Sequence, residues 1–268
     1  GSRFLVRRGE EVLLRTINNA LSAIPLSQSQ VIMQQWSEGA DLWRLRKNVA
    51  FNSRERRWIE RHPAVQVSVN AFYAPFTMTD AQGDFYGVTA DVLALISKRT
   101  GIRFVPLPAK SLESMQQQLD QGKALFIGAL SHSEERNDSM LFTRPYFSSP
   151  FVTVKRVNEP EDMPDPSAQR IAIVKGNPLA QKLLTEHPGA QLIETSNASI
   201  AMQYVVEGKA DMAVHTLFGA SYMINRYFQN KLTITGTIDA PDGAIGFAVS
   251  RNQPELLGIL NKALENIS

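Results

Sequence analysis

Two rhythms of apolar residues run along the chain. From Val65 onward, short apolar runs of strand length alternate with segments whose apolar residues recur every three or four positions. The strand-like runs are Val65–Val69, Arg103–Leu107, Leu125–Leu130, Arg170–Val174, Gln191–Glu194, Ala210–Val214, Leu232–Thr235 and Ile245–Ser250. The helix-like segments are Ala90–Thr100, one marked by Leu112, Met115 and Leu119, then Pro178–Glu186, Ala198–Glu207, Leu217–Tyr227 and Pro254–Ile267. Gly101 and Gly122 stand where the first two of these helices should stop. Strand–helix alternation of this kind predicts an α/β fold with largely parallel sheets.

Ahead of Val65 the texture differs. Val12, Leu13, Ile17, Ala20, Leu21 and Ile24 form one apolar helical face that Pro25 ends. A Gln/Ser stretch from Ser27 to Gln35 follows, then Trp36, Trp43 and the basic Arg44, Arg46 and Lys47. A second short helix starts near Asn52 or Ser53, either of which can cap it, and runs through Trp58 to His62-Pro63. Its Arg54–Arg61 cluster reads as a solvated face. Pro160, Pro164 and Pro166 mark a loop over Asn158–Gln169, between the two halves of the alternating region. Two α/β lobes joined there would leave a cleft between them. The helix of residues 13–24 also repeats the pattern of residues 256–267, with Leu-Leu, Asn, Ala-Leu and Ile in register. It reads either as a second amphipathic helix or as the last helix of an upstream copy of the same domain.

Composition narrows the function classes. The chain has 268 residues, 43% hydrophobic and 20% charged, enough for a real core. A formal charge of only +2 argues against a nucleic-acid partner. With Cys at 0, disulfides, zinc–cysteine sites and a thiol nucleophile are excluded. No window approaches the roughly 18 apolar residues of a membrane span. Gly1-Ser2 reads as a cloning scar with no signal peptide after it, so any export signal or anchor would lie outside the chain. The four His have no metal-ligand spacing, and neither a nucleophile elbow nor a phosphate-binding loop is present. No cofactor, metal or catalytic residue is expected.

Candidate binding residues gather after strand ends, where open α/β sheets place ligand-contacting loops. Tyr73-Ala-Pro-Phe76 offers two flat apolar faces beside a stiff Pro75. Small residues at Gly128 and Ala129 let a ligand approach the backbone, Ser131 and Ser133 supply hydroxyls, and Arg136 supplies a planar fork that fits a carboxylate. Lys175-Gly-Asn-Pro178, with Asn177 and Pro178, precedes a helix whose first N–H groups suit an anion. Asp211, His215 and Thr216 surround another strand end, where Asp211 reads equally as a structural strand-start residue. Each of these also has a plain structural reading as a turn, a cap or a core aromatic pair.

Taken as a set, the motifs resemble the bacterial extracellular solute-binding proteins of family 3, the Venus flytraps. They are Tyr73-Ala-Pro-Phe76, Gly83-Asp-Phe-Tyr-Gly87, Asp91, Gly122-Lys, Ser131-x-Ser-x-Glu-Arg136, Phe142-Thr-x-Pro-Tyr146, Gly176 and Gly208-Lys-Ala-Asp211. Arg57-Trp-Ile-Glu-Arg-His-Pro63 is similar to the junction between tandem flytraps in hybrid sensor histidine kinases of the BvgS/EvgS type. The resemblance implies a two-lobed, periplasmic-binding-protein-like (type II) flytrap with a helical N-terminal extension. Residues 1–62 would be the last helix of an upstream flytrap plus a linker. Residues 63–268 would be the flytrap, with lobe 1 over 63–152 and 242–268 and lobe 2 over 153–241.

The resemblance also implies roles. Tyr73 would stack on a small ligand, with Phe76 beside it. Ser131 and the backbone at Gly128 and Ala129 would bond a carboxylate that Arg136 clamps. Asn177 and Pro178 would close from the second lobe. Thr216 stands where the family carries an ammonium-binding Asp, and a neutral hydroxyl cannot balance an ammonium in a desolvated cleft. A small carboxylate without an ammonium is therefore the expected ligand class. The implied setting is the periplasmic part of an inner-membrane sensor kinase. Its partners would be the upstream flytrap and, beyond Ser268, a transmembrane helix; a homodimer is left open. The rival readings are a free binding protein serving an amino-acid-type transporter, and an enzyme on the same fold, such as a dehydratase or a murein-lyase-associated flytrap. The enzyme would draw on Glu134, Glu135 or Asp211 as acid or base.

Overall fold

The computed structural model describes residues 49–159 and 169–265. The expected helix over residues 12–24, the Trp36–Lys47 segment, most of the Asn158–Gln169 loop and the last residues of the terminal helix lie outside them. The chain forms two compact units. One comprises the chain up to Ala71, Pro75–Phe147 and the stretch from Ala244 onward; the other comprises Phe72–Ala74 and Ser148–Gly243.

The first unit opens with helix α1 (Ser53–Arg61) and continues through β1 (Ala64–Asn70), β3 (Thr77–Thr79), β4 (Phe85–Tyr86) and α2 (Val88–Thr100). After these come β5 (Arg103–Ala109), α3 (Leu112–Asp120), β6 (Phe126–Ser131), a 3-10 turn (Glu135–Asp138) and β7 (Met140–Phe142). The chain leaves this unit through β8 (Phe147–Ser149), returns in β14 (Gly243–Ser250) and ends in α7 (Pro254–Leu264). Strand order is β5-β1-β6-β14-β7. β1 runs parallel to β5 and β6, while β14 runs antiparallel to β6 and β7. Val67, Ile96, Phe126, Phe247, Leu256 and Ile259 are among its fully buried side chains.

The second unit contains β2 (Phe72–Tyr73), β9 (Phe151–Arg156), β10 (Arg170–Val174), α4 (Ala180–Glu186), β11 (Gln191–Thr195) and α5 (Ala198–Val206). It is completed by β12 (Met212–Thr216), α6 (Leu217–Tyr227) and β13 (Leu232–Thr237). Its sheet has the order β11-β10-β12-β9-β13, with β10 parallel to β11 and β12 and β9 antiparallel to β12 and β13. The two larger sheets are thus mixed rather than largely parallel. The antiparallel members include β9 and β14, the strands on which the chain enters one unit and returns to the other.

Local differences from the sequence pattern have local causes. β12 begins at Met212, two residues later than its apolar run suggests, because Lys209 and Ala210 donate back to the Tyr204 carbonyl and close α5. Asp211 then turns the corner: its Oδ2 accepts the Arg170 backbone N–H at 2.8 Å and its Oδ1 meets the Arg170 guanidinium at 3.0 Å. That contact holds the Asp211 carboxyl below its ordinary range, through hydrogen bonding to Arg170 first. Helix α4 starts at Ala180 rather than Pro178, because Asn177 Oδ1 takes the Leu179 N–H at 2.9 Å in a turn of its own. β9 and the short β2, β3, β4, β7 and β8 are elements that the pattern did not mark.

One glycine needs its missing side chain. Gly87 precedes α2 at φ +121, where a Cβ would lie 2.4 Å from the Phe76 carbonyl oxygen. With no side chain there to cap the helix, the carbonyls of Pro75 and Phe76 do so, each accepting one N–H, from Val88 and Thr89, at 3.1 Å.

Candidate ligand-binding site

The nominated residues divide between the units. On the first, Phe76 is fully buried and packs edge-on against Phe147 at 5.3 Å, so its ring is a core ring. Gly128 and Ala129 lie inside β6 and are buried. A Cβ at Gly128 would meet Thr89, Val67 and Val69 at 3.1–3.3 Å, so the missing side chain admits close packing of α2 and β1. The Gly128 carbonyl accepts the Tyr146 hydroxyl at 2.8 Å, and the same oxygen of Tyr146 lies 2.7 Å from Thr89 Oγ1. Tyr146 and Thr89 are thus polar support for the middle of this strand. The Phe142-Thr-x-Pro-Tyr146 motif was the sequence signal for the first of them.

Ser131 ends β6 half-buried, and the chain then turns into the 3-10 segment. There Ser133 Oγ accepts the Arg136 N–H at 3.3 Å, and Arg136 Nη1 donates to the Ser131 carbonyl at 2.5 Å. His132 Nε2 pairs with Asn137 Oδ1 at 2.9 Å. The loop therefore folds back on itself and holds a guanidinium and a serine on one short stretch of chain. A planar cation beside a hydroxyl is the donor set that a carboxylate takes.

On the second unit Tyr73 is half-buried, and its ring stands edge-on to His215, with centroids 6.5 Å apart. Asn177 is half-buried with its side-chain oxygen committed to Leu179, and Pro178 is exposed. Thr216 is 3% exposed and caps α6, its Oγ1 accepting the Gly219 N–H at 3.3 Å. Position 216 therefore carries a helix cap, and no negative charge. His215, which the sequence placed beside this strand end but to which no role was given, is 6% exposed, and its Nε2 makes no hydrogen bond to the described residues. Burial lowers its pKa from 6.5 to about 4, so the ring is neutral. A Cβ at Gly219 would lie 2.6 Å from that nitrogen, so the imidazole rests in space the glycine leaves.

Among the described residues no cluster of His, Cys, Asp or Glu is arranged to hold a metal, and no helix is long and apolar enough to cross a membrane.

Comparison with known proteins identifies the family and the fold. The virulence sensor protein BvgS of Bordetella bronchiseptica is 36% identical over 270 residues, covering 100% of this chain and 22% of its own length. The sensor protein EvgS of Escherichia coli K12 is 30% identical over 264 residues, covering 98% of this chain and 22% of its own. The chain thus spans about a fifth of these relatives. The crystal structure of the Bordetella pertussis BvgS periplasmic VFT2 domain superposes with a TM-score of 0.77 at 36% identity, over 82% of this chain and 95% of that one. The expected fold class, a two-lobed periplasmic-binding-protein-like Venus flytrap, is the one these matches share. Residues 65–268 match the family profile throughout, and the chain belongs to the bacterial extracellular solute-binding proteins, family 3.

Proposed function

We propose that the chain is a periplasmic ligand-sensing domain of a transmembrane sensor histidine kinase, which binds a small carboxylate between its lobes and signals by their closure. The observation that carries the reading is the reach of the sensor match. The family profile begins at residue 65, yet the likeness to BvgS runs over the whole chain, including the residues ahead of the flytrap. A probable histidine-binding protein of Neisseria gonorrhoeae is 22% identical and covers only 75% of the chain. That favours the sensor over a free binding protein.

In this reading Arg136 and Ser131 take the carboxylate and Tyr73 packs on the ligand body. Asn177, Pro178 and Thr216 line the second lobe, with Gly128, Ala129 and Phe76 shaping the first. The ligand favours the closed state only by its differential affinity for it; moving 1:99 to 99:1 takes roughly 10⁴-fold. Thr216 supplies no counter-charge, so a carboxylate without an ammonium is preferred over an α-amino acid.

Calorimetry against a panel of small carboxylates tests this. Arg136→Ala should weaken a confirmed ligand at least about tenfold. Thr216→Asp keeps a good helix cap and adds the missing charge, so it should admit the matching amino acid. If Arg136→Ala binds as tightly as the parent, the clamp assignment is wrong. If the parent already prefers amino acids, the ligand class is wrong.

A further inference from the structure

Helix α1 has nine residues, too few to hold a helix alone in water, and four of them are exposed arginines: Arg54, Arg56, Arg57 and Arg61. Its stability must come from what it is docked on, which is α7. Two side chains make the attachment. Trp58 is 8% exposed, stacks on His62 at 3.8 Å and donates its indole N–H to Gln253 Oε1 at 3.2 Å, at the residue that precedes α7.

Glu55 is 5% exposed and makes two attachments through one oxygen. Oε1 accepts the Asn52 backbone N–H at 2.9 Å, completing a reciprocal cap in which Asn52 Oδ1 accepts the Glu55 N–H at 2.8 Å. The same Oε1 takes Lys262 Nζ at 2.5 Å. Gly258 makes room, since a Cβ there would lie 2.9 Å from Glu55 Oε2. Gln253, Gly258 and Lys262 thus give α1 a continuous seat along α7, while Leu256, Ile259, Leu260 and Ala263 are buried in the core.

From this geometry we infer that Glu55 and Lys262 form a clasp that makes α1, the incoming helix, and α7, the outgoing helix, one mechanical element. A displacement of the chain ahead of Asn52 then reaches α7 directly, without passing through the second unit. The Glu55 side chain is 6% exposed and that of Lys262 34%, so breaking the pair leaves the carboxylate buried with the Asn52 N–H but no cation. The use of this link in signalling rests on the sensor reading above; the clasp does not.

Amide hydrogen exchange on the 268-residue chain tests it. Glu55→Gln keeps an N3 residue that can complete the cap but removes the charge, and Lys262→Met removes the cation but keeps the stem. Each should speed exchange in α1 and in the last turn of α7 by about tenfold or more, leaving β1 and β6 unchanged, and the double variant should match either single one. Glu60→Gln, on the exposed side of α1, is the control and should change nothing. Exchange within about twofold of the parent in both single variants, effects that multiply in the double variant, or loosening confined to α1 would each overturn the clasp. In the complete sensor the two variants should shift kinase output while ligand affinity stays at the parent value. Because exchange needs neither ligand nor kinase, failure there sinks the clasp, whereas failure confined to output sinks its use in signalling.

Discussion

The Tyr146 hydroxyl donates to the Gly128 carbonyl at 2.8 Å and lies 2.7 Å from Thr89 Oγ1. With its one proton given to Gly128, the phenol oxygen accepts from Thr89. The three groups link the start of α2, the middle of β6 and the chain before β8, in a setting where both side chains are buried. Tyr146→Phe strips two buried groups of their partner at once. It should lower unfolding stability by about 1–3 kcal/mol in chemical denaturation, and Thr89→Val in the same background should cost less than it does in the parent. Equal costs in both backgrounds would show that the two hydroxyls are not coupled.

Gly87→Ala tests how the first turn of α2 is closed. A Cβ 2.4 Å from the Phe76 carbonyl oxygen cannot be absorbed by a flexible side chain, and φ +121 is unfavourable for any L-residue. The cost should be at least about 3 kcal/mol. A thermal midpoint at the parent value would mean that the backbone there adapts freely.

His215 gives stability a pH dependence of defined sign. Its folded pKa is depressed to about 4 from 6.5, so between those values the unfolded chain binds a proton that the folded chain refuses. Its contribution is fully present above pH 6.5 and is lost as pH falls toward 4, amounting to about 3 kcal/mol at the low end. Midpoints measured from pH 7 to 4 should fall more steeply for the parent than for His215→Gln, which carries no titrating ring. Parallel curves would remove His215 as the cause, whatever the other histidines contribute.

Asp211 belongs to the scaffold. Its carboxylate takes the Arg170 backbone N–H and the guanidinium together, and so joins the first residue of β10 to the corner before β12. Asp211→Ala should lower stability by about 1–3 kcal/mol in chemical denaturation, and an unchanged midpoint would remove the anchor role. Of its two sequence readings, acid or strand-start anchor, these bonds support the anchor.

Periodicity made the alternating elements legible because each α/β helix or strand buries one face, and burial writes itself into the spacing of Leu, Ile and Val. Leu217–Tyr227 and Arg170–Val174 fall where their apolar residues put them, and Gly101 ends α2 in the left-handed conformation its position suggested. The family motifs named the loops from which the nominated residues come. Local competition then moved the boundaries: an Asn177 side chain that caps its own turn delays α4, and a helix that closes on Tyr204 delays β12. The mixed strand directions were not legible, since periodicity carries no sign and a strand has the same alternation in either direction.

What the sequence determined by itself is the class of fold, the family and the residue types available at each strand end, because these depend on patterns within a few turns of the chain. Only the tertiary structure decided which of those residues are spoken for. Gly128 became a packing contact and Phe76 a core ring once partners distant in sequence arrived beside them. The pairing of Glu55 with Lys262 spans 207 positions. Contacts of that reach depend on how whole helices pack, and no window of residues contains them.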